Sequence, residues 1–263
     1  MKKNLIAAAI CGLGLLASGA ASAIVIDGVN FGNRGLTDEI SVGSIFETFI
    51  SGSGQELKGY GQISSVNGAT NYGGANSLYF IVRNYTSTNF TGTSTGFTGG
   101  IIDVYLGSTF NLLDQNSALD IATITGYTKY VELAGHAKTL TGTTLTANGT
   151  LTGSTISFTG EGFLDVVAGF GGAGAYNYLN SNSYNDSIGG LADISFSSSG
   201  TNNPSGLNTN DGPCTNAPGQ YCISGSADLR SPTVVSVPEP GVLAMLGLGL
   251  MGIGASLRKR KSA

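Results

Sequence analysis

The segment Gly92-Thr93-Ser94-Thr95-Gly96 has the spacing G-x-S-x-G. In hydrolases this pattern places a nucleophilic serine on a sharp turn between a strand and a helix, where a histidine accepts its proton. The chain has one histidine, His136, and the sequence after the motif, Phe97 to Gly100, does not have a helical pattern. Chance matches are expected in a chain with 42 glycines. We therefore predict no catalytic site, and a secreted hydrolase is kept only as an alternative function.

The cysteines predict a disulfide rather than a metal site. Cys11 lies in an apolar N-terminal stretch, whereas Cys214 and Cys222 are eight positions apart in the body of the chain. In an exported protein two such cysteines have one possible pairing, although two free thiols or a metal pair remain alternatives. Only His136 could add a further soft ligand, and no D-x-D-x-D-G calcium loop is present. The sequence therefore predicts no metal and no cofactor.

Threonines at alternate positions suggest a binding surface. In an extended chain they would lie on one face of a strand at intervals of about 6.6–6.8 Å, which suits contact with polysaccharide or ice. Threonine is also common on ordinary solvent-exposed strands. A glycan- or ice-binding β-module is thus an alternative function. The two sets are Thr91, Thr93 and Thr95, and Thr139, Thr141 and Thr143.

The first 23 residues have the pattern of a secretory signal peptide. Lys2 and Lys3 precede an apolar stretch, and Ala21-Ser22-Ala23 resembles a cleavage site for signal peptidase. A membrane anchor is the alternative, but the apolar stretch is short and ends in small residues. We expect cleavage after Ala23.

A second three-part pattern spans residues 238–263. Pro238, Glu239 and Pro240 are followed by an uncharged apolar run at 241–257 and then by Arg258, Lys259, Arg260 and Lys261. Seventeen helical residues span about 25 Å, close to the thickness of a bilayer core. The four cations favour a cytoplasmic location for that end. The pattern predicts a transient inner-membrane helix, for which a plain membrane anchor or a buried core helix is the alternative.

This arrangement resembles the PEP-CTERM sorting signal of Gram-negative bacteria. The resemblance implies that exosortase, a membrane transpeptidase, recognises Pro238, Glu239 and Pro240. It also implies that the body reaches the cell surface or the extracellular matrix. Several body segments resemble the flocculation-associated PEP-CTERM proteins of the PepA type, which are implicated in holding cells together with exopolysaccharide. These segments are 26–32, 57–62, 89–92, 133–137, 189–194 and 224–230.

The body of the chain is acidic. Residues 24–237 contain six cations and fifteen acidic residues, which gives a net charge of −9. Such a body repels anionic membranes and nucleic acids, so no nucleic-acid partner is expected. The hydrophobic content of 41% is sufficient for a core.

The body has the pattern of an all-β domain. Aromatic and β-branched runs such as 77–85 and 100–106 alternate with turn signals, including Asn67-Gly68 and Asn148-Gly149. We predict an antiparallel, jelly-roll-like β-sandwich at 24–230, joined by a linker at 231–237 to the sorting signal. Segments 44–50 and 111–124 are predicted helices, and 197–220 is a predicted loop.

Overall fold

The computed structural model describes residues 23–32, 37–152, 155–185, 190–202 and 211–232. Residues Ile24–Val234 form a compact unit of their own. Ala21, the sorting residues 238–240, the predicted helix 241–257 and the basic residues 258–261 lie outside the described ranges. Within those ranges, no helix has both the length and the apolar character that crossing a membrane requires.

Strands dominate the described body, so the predicted all-β class is confirmed. A two-stranded antiparallel pair, β1 and β2, begins it, and β10 and β11 form a second short pair. The other nine strands form one sheet. The bounds are β1 Val25–Ile26, β2 Val29–Asn30, β3 Thr37–Thr48, β4 Glu56–Val66, β5 Asn76–Thr88, β6 Ser94–Ser108, β7 Thr128–Gly135, β8 Leu145–Thr152, β9 Thr155–Gly171, β10 Tyr184–Asn185, β11 Leu191–Ala192, β12 Ile194–Asn202 and β13 Tyr221–Pro232.

The large sheet closes into an eight-stranded barrel rather than the predicted jelly-roll-like β-sandwich. Its order is β12-β13-β3-β4-β5-β6-β7-β9, and β9 pairs again with β12. The long strands β6 and β9 are bridged by β7 in one half of the barrel and by β8 in the other. Closure gives every long strand two neighbours, which removes the exposed edges that a sandwich would leave.

Alternation along the strands places one set of side chains inside the barrel. On β5, Leu78, Phe80 and Val82 belong to the main core, whereas Tyr79 and Ile81 belong to a separate cluster on the outer face. Inward-facing glycines make room for large rings in this interior. A Cβ on Gly61 would lie 2.5 Å from the Phe80 ring, so the abundant glycine is partly a packing requirement.

Two short helices cover parts of the barrel. Helix α1, Ser117–Thr125, overlaps the predicted segment 111–124 and is capped by Asn116, whose side chain accepts a hydrogen bond from the Leu119 N–H. Its buried face contacts the aromatic cluster on the outside of β4 and β5. Helix α2, Ala173–Leu179, was not predicted from the sequence; the Asp27 carboxylate accepts a 2.8 Å hydrogen bond from the Ala175 N–H near its start.

Four local predictions are wrong. The predicted helix at 44–50 lies mostly in β3, where Ile45 faces the interior and Phe46 the outer cluster, a period of two rather than 3.6. Asn148-Gly149 lies within β8 instead of forming a turn, and residues 197–202 of the predicted loop 197–220 belong to β12. The two predicted threonine ladders are not formed either, because 91–93 and 139–143 are loop or turn residues.

Candidate functional site

An array of small polar side chains covers the outer surface where β8, β9, β12 and β13 lie side by side. We call this array the hydroxyl face. Its members alternate along each strand with inward-facing residues, and most of them are exposed. They are Asn148 and Thr150 on β8, Ser157 and Thr159 on β9, Ser199 and Thr201 on β12, and Ser224 and Ser226 on β13.

The strand register aligns these side chains in two rows that cross the sheet. One row runs Thr150, Ser157, Thr201, Ser224, and the other runs Asn148, Thr159, Ser199, Ser226. Neighbours within a row are about 4.8 Å apart, and the two rows are about 6.7 Å apart. The Ser199 and Ser226 hydroxyls lie 3.3 Å from each other. The result is a regular grid of donors and acceptors that carries no charge.

The hydroxyl face lines a groove of about 860 Å³. A second groove of about 400 Å³ lies farther along the same strands and contains charged residues, including Glu161 and Asp228. From Thr201 to Ser195 the path along β12 covers about 20 Å. A surface of this length suits an extended polymer better than a compact small molecule.

A cavity of about 90 Å³, which we call the end cavity, lies in the half of the barrel where β8 bridges β6 and β9. Its walls are mainly apolar and include Leu57, Phe97 and Leu145. Glu47 on β3 is also part of the wall and is 6% exposed. Loss of hydration on burial raises the pKa of the Glu47 carboxyl to about 7.

The structure gives the G-x-S-x-G motif no hydrolase geometry. Ser94 is the first residue of β6, and no helix follows it. Its hydroxyl donates a 3.1 Å hydrogen bond to the Asn148 side-chain oxygen. The His136 Nδ1 is instead 2.9 Å from a carboxylate oxygen of Asp165 on β9. Thr93 and Ser94 line the end cavity, and His136 is not among the residues of its wall.

The predicted cysteine pair is bridged. Cys214 and Cys222 form a disulfide with their Cα atoms 5.5 Å apart. Cys222 is fully buried and packs with Phe49 and Ile223 in a small apolar cluster. The bridge therefore fixes the segment that leads into β13 against the barrel.

The buried face of α1 contains a carboxyl group. Asp120 is fully buried, and its polar neighbours include the side chains of Gln115 and Tyr60. Burial raises the pKa of Asp120 to about 6. The nearby Asp211 carboxylate instead accepts hydrogen bonds from the Ser117 hydroxyl and, at 3.0 Å, from the Ser117 N–H. Among the described residues, no group of three or more His, Cys, Asp or Glu side chains is arranged to hold a metal ion.

A partly buried network of four charges crosses β5, β6 and β7, in which the carboxylates are buried and the Arg83 and Lys129 side chains are 37% and 27% exposed. The Asp103 carboxylate accepts hydrogen bonds from Arg83 Nε at 2.6 Å and from Lys129 Nζ at 2.7 Å. Lys129 Nζ also lies 2.9 Å from Glu132. Burial alone would raise the pKa of Asp103, but the bonds from Arg83 and Lys129 outweigh it and hold the pKa below its usual range. These charges satisfy one another, which indicates a structural role.

One family model matches the chain: the PEP-CTERM protein-sorting motif, at residues 236–261. No curated protein and no solved structure matches it. The chain therefore carries the sorting motif that its sequence predicts, and the motif indicates an exported protein that exosortase targets and processes. It implies placement at the cell surface or outside the cell in Gram-negative bacteria.

Proposed function

We propose that this exosortase-targeted protein supports cell aggregation, in flocs or biofilm, by binding exopolysaccharide through its hydroxyl face. In this proposal signal peptidase cuts after Ala23 and exosortase acts near Pro238 to Pro240, while Arg258 to Lys261 keep the transient inner-membrane span in place. The released body then becomes part of the extracellular matrix. We further propose that the protein is not an enzyme.

The hydroxyl face is the observation that carries this proposal. Each serine or threonine hydroxyl can donate one hydrogen bond and accept others, and the hydroxyls of a sugar have the same capacity. A periodic grid can therefore pair with the periodic hydroxyls of a polysaccharide at several points at once. Because each exposed bond contributes little, affinity must come from many contacts along the polymer. The resemblance of the body segments to flocculation-associated proteins agrees with this function.

The binding step is tested with purified extracellular polysaccharide from the host and the full chain. Thr159→Lys places a long charged side chain in the centre of the grid, and we expect retention on immobilised polysaccharide to fall at least tenfold. Thr86→Lys is the matched control, because Thr86 is an exposed threonine of β5, outside the hydroxyl face. Equal retention of the two variants and the native chain would refute the role of the face.

The sorting step is tested separately in cells. Deletion of residues 238–263 should change the fraction in which the protein is found and weaken aggregation. Unchanged fractionation would contradict exosortase-dependent deployment. Normal fractionation of Thr159→Lys with weakened aggregation would assign the defect to the face rather than to sorting.

Ice is the second candidate ligand, because the grid spacing is regular in two directions. An ice crystal presents a flat surface, whereas the hydroxyl face lines a groove. Inhibition of ice recrystallisation by the native chain, lost in Thr159→Lys, would favour ice over polysaccharide. Thr93 is a poorer probe for either ligand, because it lies beside the end cavity. A screen on ester, glycan and peptide substrates tests the hydrolase alternative.

A further inference from the structure

The end cavity contains a carboxyl group that the proposed function does not use. The side chain of Glu47 projects into the barrel: a Cβ on Gly59 would lie 3.2 Å from Glu47 Cγ and 3.4 Å from the Cβ of the core residue Val82. No described residue forms a hydrogen bond or an ion pair with the Glu47 carboxylate. A buried charge of this kind is costly unless a partner neutralises it.

The walls and the size of the cavity restrict what this partner can be. The lining is mostly hydrocarbon, and its polar side chains are Glu47, Thr48, Ser198 and the hydroxyls of residues 93–95. Its volume of about 90 Å³ is smaller than the roughly 150 Å³ of an apolar cavity that holds benzene. An aliphatic group of about four carbons is therefore the right size.

The cavity has a route to solvent. Its wall includes Gly92 and Thr93, which are exposed residues of the loop between β5 and β6. Asn89 and Gly92 in this loop have positive φ angles of 53° and 93°, which turn the chain sharply over the cavity. A small molecule can enter beside this loop without passing through the barrel.

Charge decides between the possible head groups. The body has a net charge of −9, which attracts cations and repels carboxylates. An ammonium group neutralises Glu47 and donates up to three hydrogen bonds, whereas an alcohol leaves the carboxylate charge uncompensated. We propose that the end cavity binds a small primary aliphatic amine, with its ammonium group on Glu47 and its alkyl chain against Leu57 and Leu145.

Titration calorimetry of the full chain with butylamine at pH 8 tests this proposal. We expect saturable binding to the native chain and at least tenfold weaker binding to Glu47→Gln. Glu161→Gln is the matched control, because it removes the same charge from an exposed position on β9, and it should bind like the native chain. Ala147→Phe, which fills the cavity with a ring, should abolish binding.

Three results would overturn the proposal. They are no butylamine binding to the native chain, equal binding by Glu47→Gln, and binding of butan-1-ol as tight as that of butylamine. A readout on the native chain covers the case in which Glu47→Gln does not fold: butylamine should shift the ¹³C resonance of the Glu47 carboxyl, and an unmoved resonance at saturation would contradict the assignment. Polysaccharide retention does not enter this test, so either proposal can fail alone.

Discussion

Glu47→Gln should change the dependence of stability on pH. The Glu47 carboxyl has a pKa of about 7 in the folded chain, against an ordinary value of 4.5. The folded state therefore holds this proton more tightly than the unfolded state does. Stability falls as the pH rises from about 4.5 to 7, and the loss is complete above pH 7. The pKa difference corresponds to about 3 kcal/mol of unfolding free energy at pH 8.

Glutamine cannot titrate, so the variant lacks this contribution at every pH. Burial of its amide lowers the stability of the variant by an amount that does not vary with pH. The informative quantity is therefore how the difference in unfolding free energy between the variant and the native chain changes with pH. We expect this difference to shift by about 3 kcal/mol in favour of the variant between pH 4 and pH 8. Denaturant unfolding at a series of pH values measures it.

Two controls isolate the effect. Asp120 also has a raised pKa, so it contributes a slope of the same sign, but this slope is common to both proteins and cancels in the difference. Glu161→Gln removes an exposed carboxylate, so the unfolding free energy of this variant should differ from that of the native chain by an amount nearly independent of pH. The difference in unfolding free energy between Glu47→Gln and the native chain should therefore depend on pH. If it stays constant from pH 4 to pH 8, the claim that the Glu47 carboxyl is buried without a compensating partner is wrong.

Three further measurements address the network, the glycines and the processing. Asp103→Asn removes one of the two carboxylates that Arg83 and Lys129 share and should cost about 2 kcal/mol in denaturant unfolding, whereas Glu39→Gln, in an exposed ion pair, should cost under about 1 kcal/mol. Equal losses would refute a stabilising role for the network. Gly61→Ala forces a methyl group toward Phe80 and should lower the melting temperature, while Gly52→Ala, with only ordinary contacts, should not. The intact mass of the mature protein should correspond to a chain beginning at residue 24 and lacking its last residues; an unprocessed mass would contradict both cleavages.

The strands were predictable where local chemistry and the fold agree. The run 77–85 is aromatic and β-branched, and it lies within β5. Asn67 and Gly68 have φ angles of 51° and 77°, and backbone hydrogen bonds in both directions between Val66 and Ala69 close this turn. An Asn-Gly pair predicts such a turn because both residues tolerate positive φ.

The same dipeptide at Asn148-Gly149 was misleading because packing determines its role. Gly149 lies in β8, where a Cβ would come within 3.2 Å of the Ser157 carbonyl oxygen on β9. Glycine is there to permit close approach of the strands rather than to form a turn. Local sequence does not distinguish these two uses, and barrel closure depends on contacts between segments that are distant in the chain.

The hydroxyl face was missed for a related reason. Ser195, Ser197, Ser199 and Thr201 alternate with period two, which is a strand signal, but the serine-rich composition favoured a loop. The alternative of a hydroxyl-lined binding face was therefore assigned to the more conspicuous threonine segments, where residues 91–93 and 139–143 form loops or turns. The face also combines four strands, and only their register aligns the side chains across the sheet.

The distribution of positive charge narrows the kind of polysaccharide that this body would bind. Of the five cations in the described ranges, Lys58, Arg83, Lys129 and Arg230 are each paired with an acidic residue of the same domain, and the fifth, Lys138, is a single charge beside the second groove. The described surface therefore has no basic patch that could hold an anionic polymer, and the net charge of the body would repel one. The hydroxyl face itself carries no charge, so it can contact a polymer only through hydrogen bonds and van der Waals packing. Such contacts release no counterions and depend little on salt, which makes a neutral polysaccharide the partner that this surface fits best.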